Sequence, residues 1–271
     1  MARARVNGIH IHYEVHGSGE PLLLIMGLGA NTTGWSMQIP EFSKEYCVIA
    51  FDNRGAGRSD KPNEPYSMRQ MADDARGLLD ELEIDSAHVF GMSLGGMIAQ
   101  ELVLQHPHRV SSLVLGGTMA GGPSAIFAGP DVVQQFISLA GMALTQAIEA
   151  GLALVYSEEY VSANKGALVR RSLLNAHLMA PMYAIQRQFM AIVGFNTHAR
   201  LGEINAPALV LAGTADRVIP LHNSRLLAEG IAGAQLLEFE GAGHGFLVER
   251  AEEVNAAVLE FLRGRRAAAG A

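Results

Sequence analysis

With 271 residues, 49% of them hydrophobic and 17% charged, the chain has enough apolar content for a sizeable core and falls outside the disordered class. Its one cysteine, Cys47, cannot form an internal bridge, which rules out a disulfide scaffold and fits a reducing, cytoplasmic location. Twenty basic residues against 27 acidic ones leave a net charge of −7, the wrong sign for the basic footprint that nucleic acid demands.

Arg3 and Arg5 stand near the start, but apolar and polar residues then alternate where a signal peptide has an uninterrupted apolar stretch. No run reaches the roughly 18 apolar residues of a membrane span. Residues 9–15 alternate as a half-buried strand does. Compact apolar runs follow at 22–26, 47–51, 88–90, 113–115 and 209–211, each beside Gly or Asp, the pattern of buried parallel strands. A weaker run closes the series at 236–239.

Helices separate these runs. Ser67-Met68-Arg69-Gln70 has the form of a capping box, and Met71, Ala75, Leu78, Leu79 and Leu82 continue at helical spacing. Residues 94–106 read as a helix stopped ahead of Pro107. Pro220 suits the first turn of a helix reaching about Ile231, and Val254, Val258, Phe261 and Leu262 mark a last one. Such alternation predicts an α/β fold: a mostly parallel sheet with helices on both faces. It lapses over 120–205, where Val133, Phe136, Ile137, Leu174, His177 and Leu178 keep helical spacing and no strand run occurs. The expected division is a core of 1–119 and 206–271 with a helical insertion at 120–205.

The sharpest chemical signal is Gly91-Met92-Ser93-Leu94-Gly95-Gly96, set between a predicted strand and a predicted helix. A nucleophile elbow needs this layout, because the strained turn leaves room only for small residues two places before and after the serine. A serine hydroxyl is a poor nucleophile until a base takes its proton and an acid orients the base. Of ten histidines, His244 alone lies in a glycine-flanked loop beyond the last strand; the others have simpler structural readings. Asp216 follows the strand run at 209–211 at the edge where open α/β sheets gather their ligands. Asp52 also ends a strand, but it opens a turn and reads as its stabiliser. For an oxyanion, the backbone N–H of Leu94 and an amide of the Met26-Gly27-Leu28-Gly29 loop, best that of Leu28, are the candidate donors.

Taken together, LLLIMGLGANTTGW at 22–35, FDNRGAGRSDKP at 51–62, the elbow segment, LVLAGTADRVIP at 209–220 and GAGHGF at 241–246 resemble the α/β-hydrolase superfamily along nearly the whole core. The chain order Ser93, Asp216, His244 is the one that superfamily uses. The resemblance implies the α/β-hydrolase fold with a mostly parallel sheet of about eight strands, Ser93 as nucleophile, Asp216 as acid, His244 as base, and 120–205 as a helical cap. One departure stands out: Met26-Gly27 occupies the turn where many relatives have His-Gly, so a polar side chain is lost although the amide is kept.

Serine at the elbow argues against the dehalogenases and epoxide hydrolases, whose relatives carry aspartate there. What remains is acyl transfer to water, with carboxylic esters of neutral, fairly apolar substrates leading. Lactones and enol-lactones, carbon–carbon cleavage and perhydrolysis use the same triad, and a non-enzymatic ligand receptor is disfavoured by its intactness. The insertion has ten charged residues among 86, five of each sign, and seven of the chain's 17 aromatics. Trp35, Met119, Met142, Met182, Phe189 and Phe246 are the candidate pocket residues, and Arg170, Arg171 and Arg187 are candidate carboxylate anchors whose simpler reading is surface solvation. No ligand cluster at metal spacing occurs and no cofactor is expected. The expected partner is a small-molecule ester or lactone, with monomer and homodimer both open.

Overall fold

The computed structural model describes residues 2–139 and 141–269, with side chains described through Arg265. Eight strands form one sheet: β1 (Ala2–Val6), β2 (Ile9–His16), β3 (Glu20–Ile25), β4 (Tyr46–Phe51), β5 (Ala87–Met92), β6 (Val110–Gly116), β7 (Ala208–Gly213) and β8 (Gln235–Phe239). Their order is β1-β2-β4-β3-β5-β6-β7-β8, with β2 antiparallel to both neighbours and all other pairs parallel. The expectation of about eight mostly parallel strands holds. β1 has no counterpart among the runs read from sequence. Its hairpin turns at Asn7 and Gly8, both at positive φ (47° and 82°), which is the two-residue turn whose twist suits paired strands.

The helices are α1 (Ile39–Phe42), α2 (Met68–Glu81), α3 (Leu94–Gln105), α4 (Pro130–Leu139), α5 (Leu144–Val155), α6 (Glu158–Leu174), α7 (Met182–Val193), α8 (His222–Gly230), α9 (Phe246–Glu249) and α10 (Ala251–Ala269). Strand alternation divides the core into two layers. Leu23 and Ile25 of β3 share one layer with Leu78, Met97, Ile98 and Leu227, whereas Leu22 and Leu24 share the other with Phe42, Val258 and Leu262. Every residue of β5 and of β7 is buried, so these two strands are covered on both faces, and each fully buried Leu or Ile stabilises by about 1.5–3 kcal/mol. The predicted cap of α2 forms, with the Ser67 side chain accepting from Gln70 N–H at 3.1 Å.

Between β6 and β7 the described chain adds α4, α5, α6 and α7 and no strand. The two ends of this segment meet. Gly121 bridges Asn196, and Thr197 N–H donates to Ala120 O at 2.8 Å.

Candidate active site

Four loops converge at the carboxyl edge of the sheet, leaving β3, β5, β7 and β8. β3 lies beside β5 with Ile25 opposite Gly91, and β7 beside β8 with Gly213 opposite Phe239. Parallel strands deliver their loops to one edge, which is where open α/β sheets in general gather their ligands.

Ser93 follows β5 directly, at φ 57° and ψ −120°. A non-glycine residue in such a region costs about 1–3 kcal/mol and persists only where its surroundings over-determine it. Here they do. Ser93 N–H donates to Gly116 O at 2.8 Å, and Thr118 Oγ1 donates to Ser93 O at 2.8 Å. A Cβ on Gly91 would stand 2.3 Å from Gly95 O, and one on Gly95 would stand 2.0 Å from Ile25 O. Strand, turn and helix therefore interlock only with glycine at both places. The turn makes Ser93 the N-cap of α3 and puts the Leu94 N–H at the first helical position, which has no intrahelical acceptor.

His244 Nδ1 lies 2.7 Å from Asp216 Oδ2, and both side chains are buried. Asp216 Oδ1 accepts the N–H groups of Val218 and Ile219, each at 2.8 Å. With both oxygens engaged the carboxylate is immobilised. As the donor to it, Nδ1 carries the proton, which leaves Nε2 as the basic nitrogen. The acid and base loops are themselves joined, by Thr214 N–H to Phe239 O and Ala215 N–H to Ala242 O, both at 3.0 Å. Ser93 and His244 flank one stretch of β6's end. Gly116 O takes the Ser93 N–H, while His244 Cε1 is 3.4 Å from where a Cβ on Gly117 would stand.

The Met26–Ala30 turn completes the edge. A Cβ on Gly27 would lie 3.1 Å from Ser93 Cβ and 3.5 Å from its Oγ, so the residue before Leu28 faces the serine directly. Asn53 Nδ2 holds Met26 O at 2.8 Å. Asp52 accepts the N–H groups of Thr32 and Arg58, each at 2.7 Å, in keeping with a turn-stabilising role.

The α/β hydrolase fold family matches residues 20–251, which spans all four loops. The chain belongs to that family. It is 34% identical over 267 residues to the 2-hydroxymuconate semialdehyde hydrolase of Pseudomonas sp. strain CF600, covering 97% of this chain and 93% of that one. It is 30% identical over 262 residues to the "Putative carbamate hydrolase RutD" of Azorhizobium caulinodans, covering 96% and 98%. Among solved structures it resembles the enol-lactonase of Burkholderia xenovorans LB400, with a TM-score of 0.84, 29% identity and coverage of 97% and 100%. These relatives support hydrolysis as the chemistry of this α/β hydrolase.

Several contacts bind the loops of this α/β hydrolase to the helical segment, and none is marked in the sequence. Gly245 N–H donates to Val155 O at 2.7 Å. The Glu249 carboxylate accepts Gly243 N–H at 2.9 Å, Ser157 N–H at 3.1 Å and Ser157 Oγ–H at 2.6 Å, so His244 is held from both sides. Tyr156 packs so close that a Cβ on Gly245 would stand 2.2 Å from its ring, and burial pushes its phenol up in pKa. On α7, Gln188 Oε1 accepts Gly29 N–H at 2.8 Å. The partners stand 92 and 159 residues apart for Ser157–Glu249 and Gly29–Gln188, beyond any local pattern.

The candidate pocket residues separate into two groups. Trp35, Met119 and Phe246 are fully or almost fully buried; Trp35 packs on Phe90 with ring centroids 4.9 Å apart, and Phe246 stacks on Phe239 at 5.4 Å. The Phe246 ring also reaches to 3.3 Å from where a Cβ on Gly117 would stand, beside His244. Met142, Met182 and Phe189 are exposed. On α7 the buried positions are Ala184, Gln188 and Ala191, and helical register turns Met182 and Phe189 away from that face. Two of the arginines are engaged elsewhere, Arg171 with Thr33 O at 3.1 Å and Arg187 with Asn63 Oδ1 at 3.2 Å. Among the described residues no group of three or more His, Cys, Asp or Glu could hold a metal, and no helix is long and apolar enough to cross a membrane.

Proposed function

We propose that this α/β hydrolase is a serine hydrolase of carboxylic esters with neutral, fairly apolar substituents, working through an acyl-enzyme. The observation that carries the reading is the buried His244–Asp216 pair, at 2.7 Å, at the same sheet edge as a serine held at φ 57° on a helix N-terminus. Ser93 Oγ attacks the ester carbonyl as its proton passes to His244 Nε2, and Asp216 stabilises the imidazolium through Nδ1–H. The N–H groups of Leu28 and Leu94 receive the oxyanion; loss of one such donor typically lowers turnover by ~10²–10³. Collapse expels the alcohol, which takes the proton back from His244. Water then enters by the same route, giving the acid and free Ser93.

Residues 120–205 act in this reading as a cap on a core formed by 1–119 and 206–271. In the same reading Phe246 and Met119 are apolar walls of the pocket. A second reading, lactone opening, is favoured by the likeness to an enol-lactonase structure over 97% of the chain. A lactone is an internal ester, so the same steps open its ring, and only the product distinguishes the two.

Ser93→Ala is expected to abolish turnover of p-nitrophenyl esters, and a fluorophosphonate is expected to label Ser93 in the unaltered protein. Turnover persisting in clean Ser93→Ala protein sinks the proposal. A panel of esters of graded chain length beside lactones then ranks the two readings.

A further inference from the structure

The turn proposed to present the Leu28 amide has little to hold it from within. Its one internal hydrogen bond, Ala30 N–H to Gly27 O, is long at 3.2 Å, and Gly29 sits at φ +65°. Its order comes from two side chains outside it. Asn53 Nδ2 grips Met26 O on one side of Leu28, and Gln188 Oε1 grips Gly29 N–H on the other. The Gly29 N–H belongs to the peptide plane that follows Leu28, so fixing its direction fixes the Leu28 ψ angle and limits how the preceding plane, with the Leu28 N–H, can turn.

Gln188 is suited to this task by its own surroundings. It is fully buried, and its other end is occupied, with Nε2 donating to Arg54 O at 2.7 Å. Arg54 is in turn immobilised. It is 1% exposed, bonds Asp74 through Nε at 2.5 Å and Nη2 at 2.8 Å, and lies 5.6 Å from the Tyr66 ring centroid. Ile185, one turn earlier on α7, comes to 3.4 Å from where a Cβ on Gly29 would stand, closing the same contact with apolar atoms. Withdrawing α7 would strand the Gly29 N–H, the Arg54 carbonyl and both ends of a buried amide at once, each a costly loss.

We propose that Gln188 is a positioning residue, carried on the helical segment, that sets the oxyanion turn through the Gly29 amide. The proposal rests on Ser93 acting as nucleophile with Leu28 as oxyanion donor. It makes α7 part of the catalytic apparatus: the turn has its working shape only while α7 is seated.

The test compares the full chain with Gln188→Met, which keeps the volume and loses both hydrogen bonds, and Gln188→Glu, which keeps an acceptor for Gly29. Steady-state hydrolysis of p-nitrophenyl butyrate, the rate of inactivation by a fluorophosphonate, and thermal melting are measured on each. Misplaced donors act on the transition state, so Gln188→Met is expected to lower kcat about 10- to 100-fold with KM within about threefold, and to slow phosphonylation by a similar factor. Gln188→Glu is expected to fall between Gln188→Met and the unaltered protein. If Gln188→Met does not fold, Gln188→Glu decides: a kcat loss without a KM change supports the role. The proposal is overturned by Gln188→Met or Gln188→Glu with kcat within twofold of the unaltered protein, by a loss residing in KM alone, or by equal losses in both that track melting. Failure of the underlying reading looks different, since turnover would then survive Ser93→Ala.

Discussion

The sheet core and the helical segment between β6 and β7 are built on opposite terms. In the core, β5 and β7 are buried at every position, and the catalytic candidates stand on glycines with no room for a methyl group. In the segment, α4 and α6 have one buried residue each, Val132 and Leu168. Among the described residues, fifteen of the eighteen exposed large apolar side chains lie between Ile126 and Val193, so this segment carries most of the large apolar side chains left open to solvent. The contrast shows how rigidity and access are divided. The core supplies strained, over-determined geometry, and the segment supplies apolar surface while reaching the loops of the sheet edge through buried polar contacts such as those at Gly29 and Gly245.

Substitutions in the two regions should therefore differ in kind. Asp216→Asn keeps the shape of the pair but removes the anion that selects the Nδ1–H form of His244; kcat is expected to fall by about 10⁴-fold with the melting transition intact. Steady-state kinetics beside circular dichroism checks both halves. Gly95→Ala must push a Cβ away from a carbonyl oxygen 2.0 Å distant, backbone against backbone. A destabilisation of about 3 kcal/mol or more in urea is expected, at or above the top of the usual overpacking range. A midpoint within error of the unaltered protein would deny that the elbow is sterically closed.

At the junction of the regions the effect should be intermediate and kinetic. Glu249→Ala leaves Gly243 N–H and both Ser157 donors without their acceptor, and so loosens the loop of His244. A fall in kcat of about 10- to 100-fold is expected, as for a small misplacement of a catalytic group, larger than any change in KM. Least of all, Leu174→Ser on α6 replaces a side chain that is 71% exposed, and stability should move by no more than about 0.5 kcal/mol. A large loss there would mean that the outer face of the segment is covered in solution, and the contrast between the regions would need redrawing.

Much of the site was legible before any coordinates. Gly91, Ser93 and Gly95 follow one another along a strand-to-helix turn, so their steric logic is local and survives in the sequence. His244 and Asp216 were readable because each follows a strand run, and parallel strands bring their ends to a common edge. β1 was missed although Asn7-Gly8 carried its signal, since a strand half exposed at the sheet margin has no compact apolar run. The pocket candidates carry no such local signal. A methionine or phenylalanine on a helix looks the same whether it faces a ligand, a core or water; only register and neighbours separate Phe246, buried and stacked on Phe239, from Phe189, turned outward.

By itself the sequence determined the α/β alternation, the strand-to-helix turn at Ser93 and the placing of Asp216 and His244 just after strands, because each rests on hydrophobic period or on neighbouring residues. Only the tertiary structure decided how the two regions meet. The grip of Glu249 on Gly243 and Ser157, and of Gln188 on Gly29, joins residues from separate elements through single hydrogen bonds. Such bonds leave no period along the chain, and burial makes each of them matter.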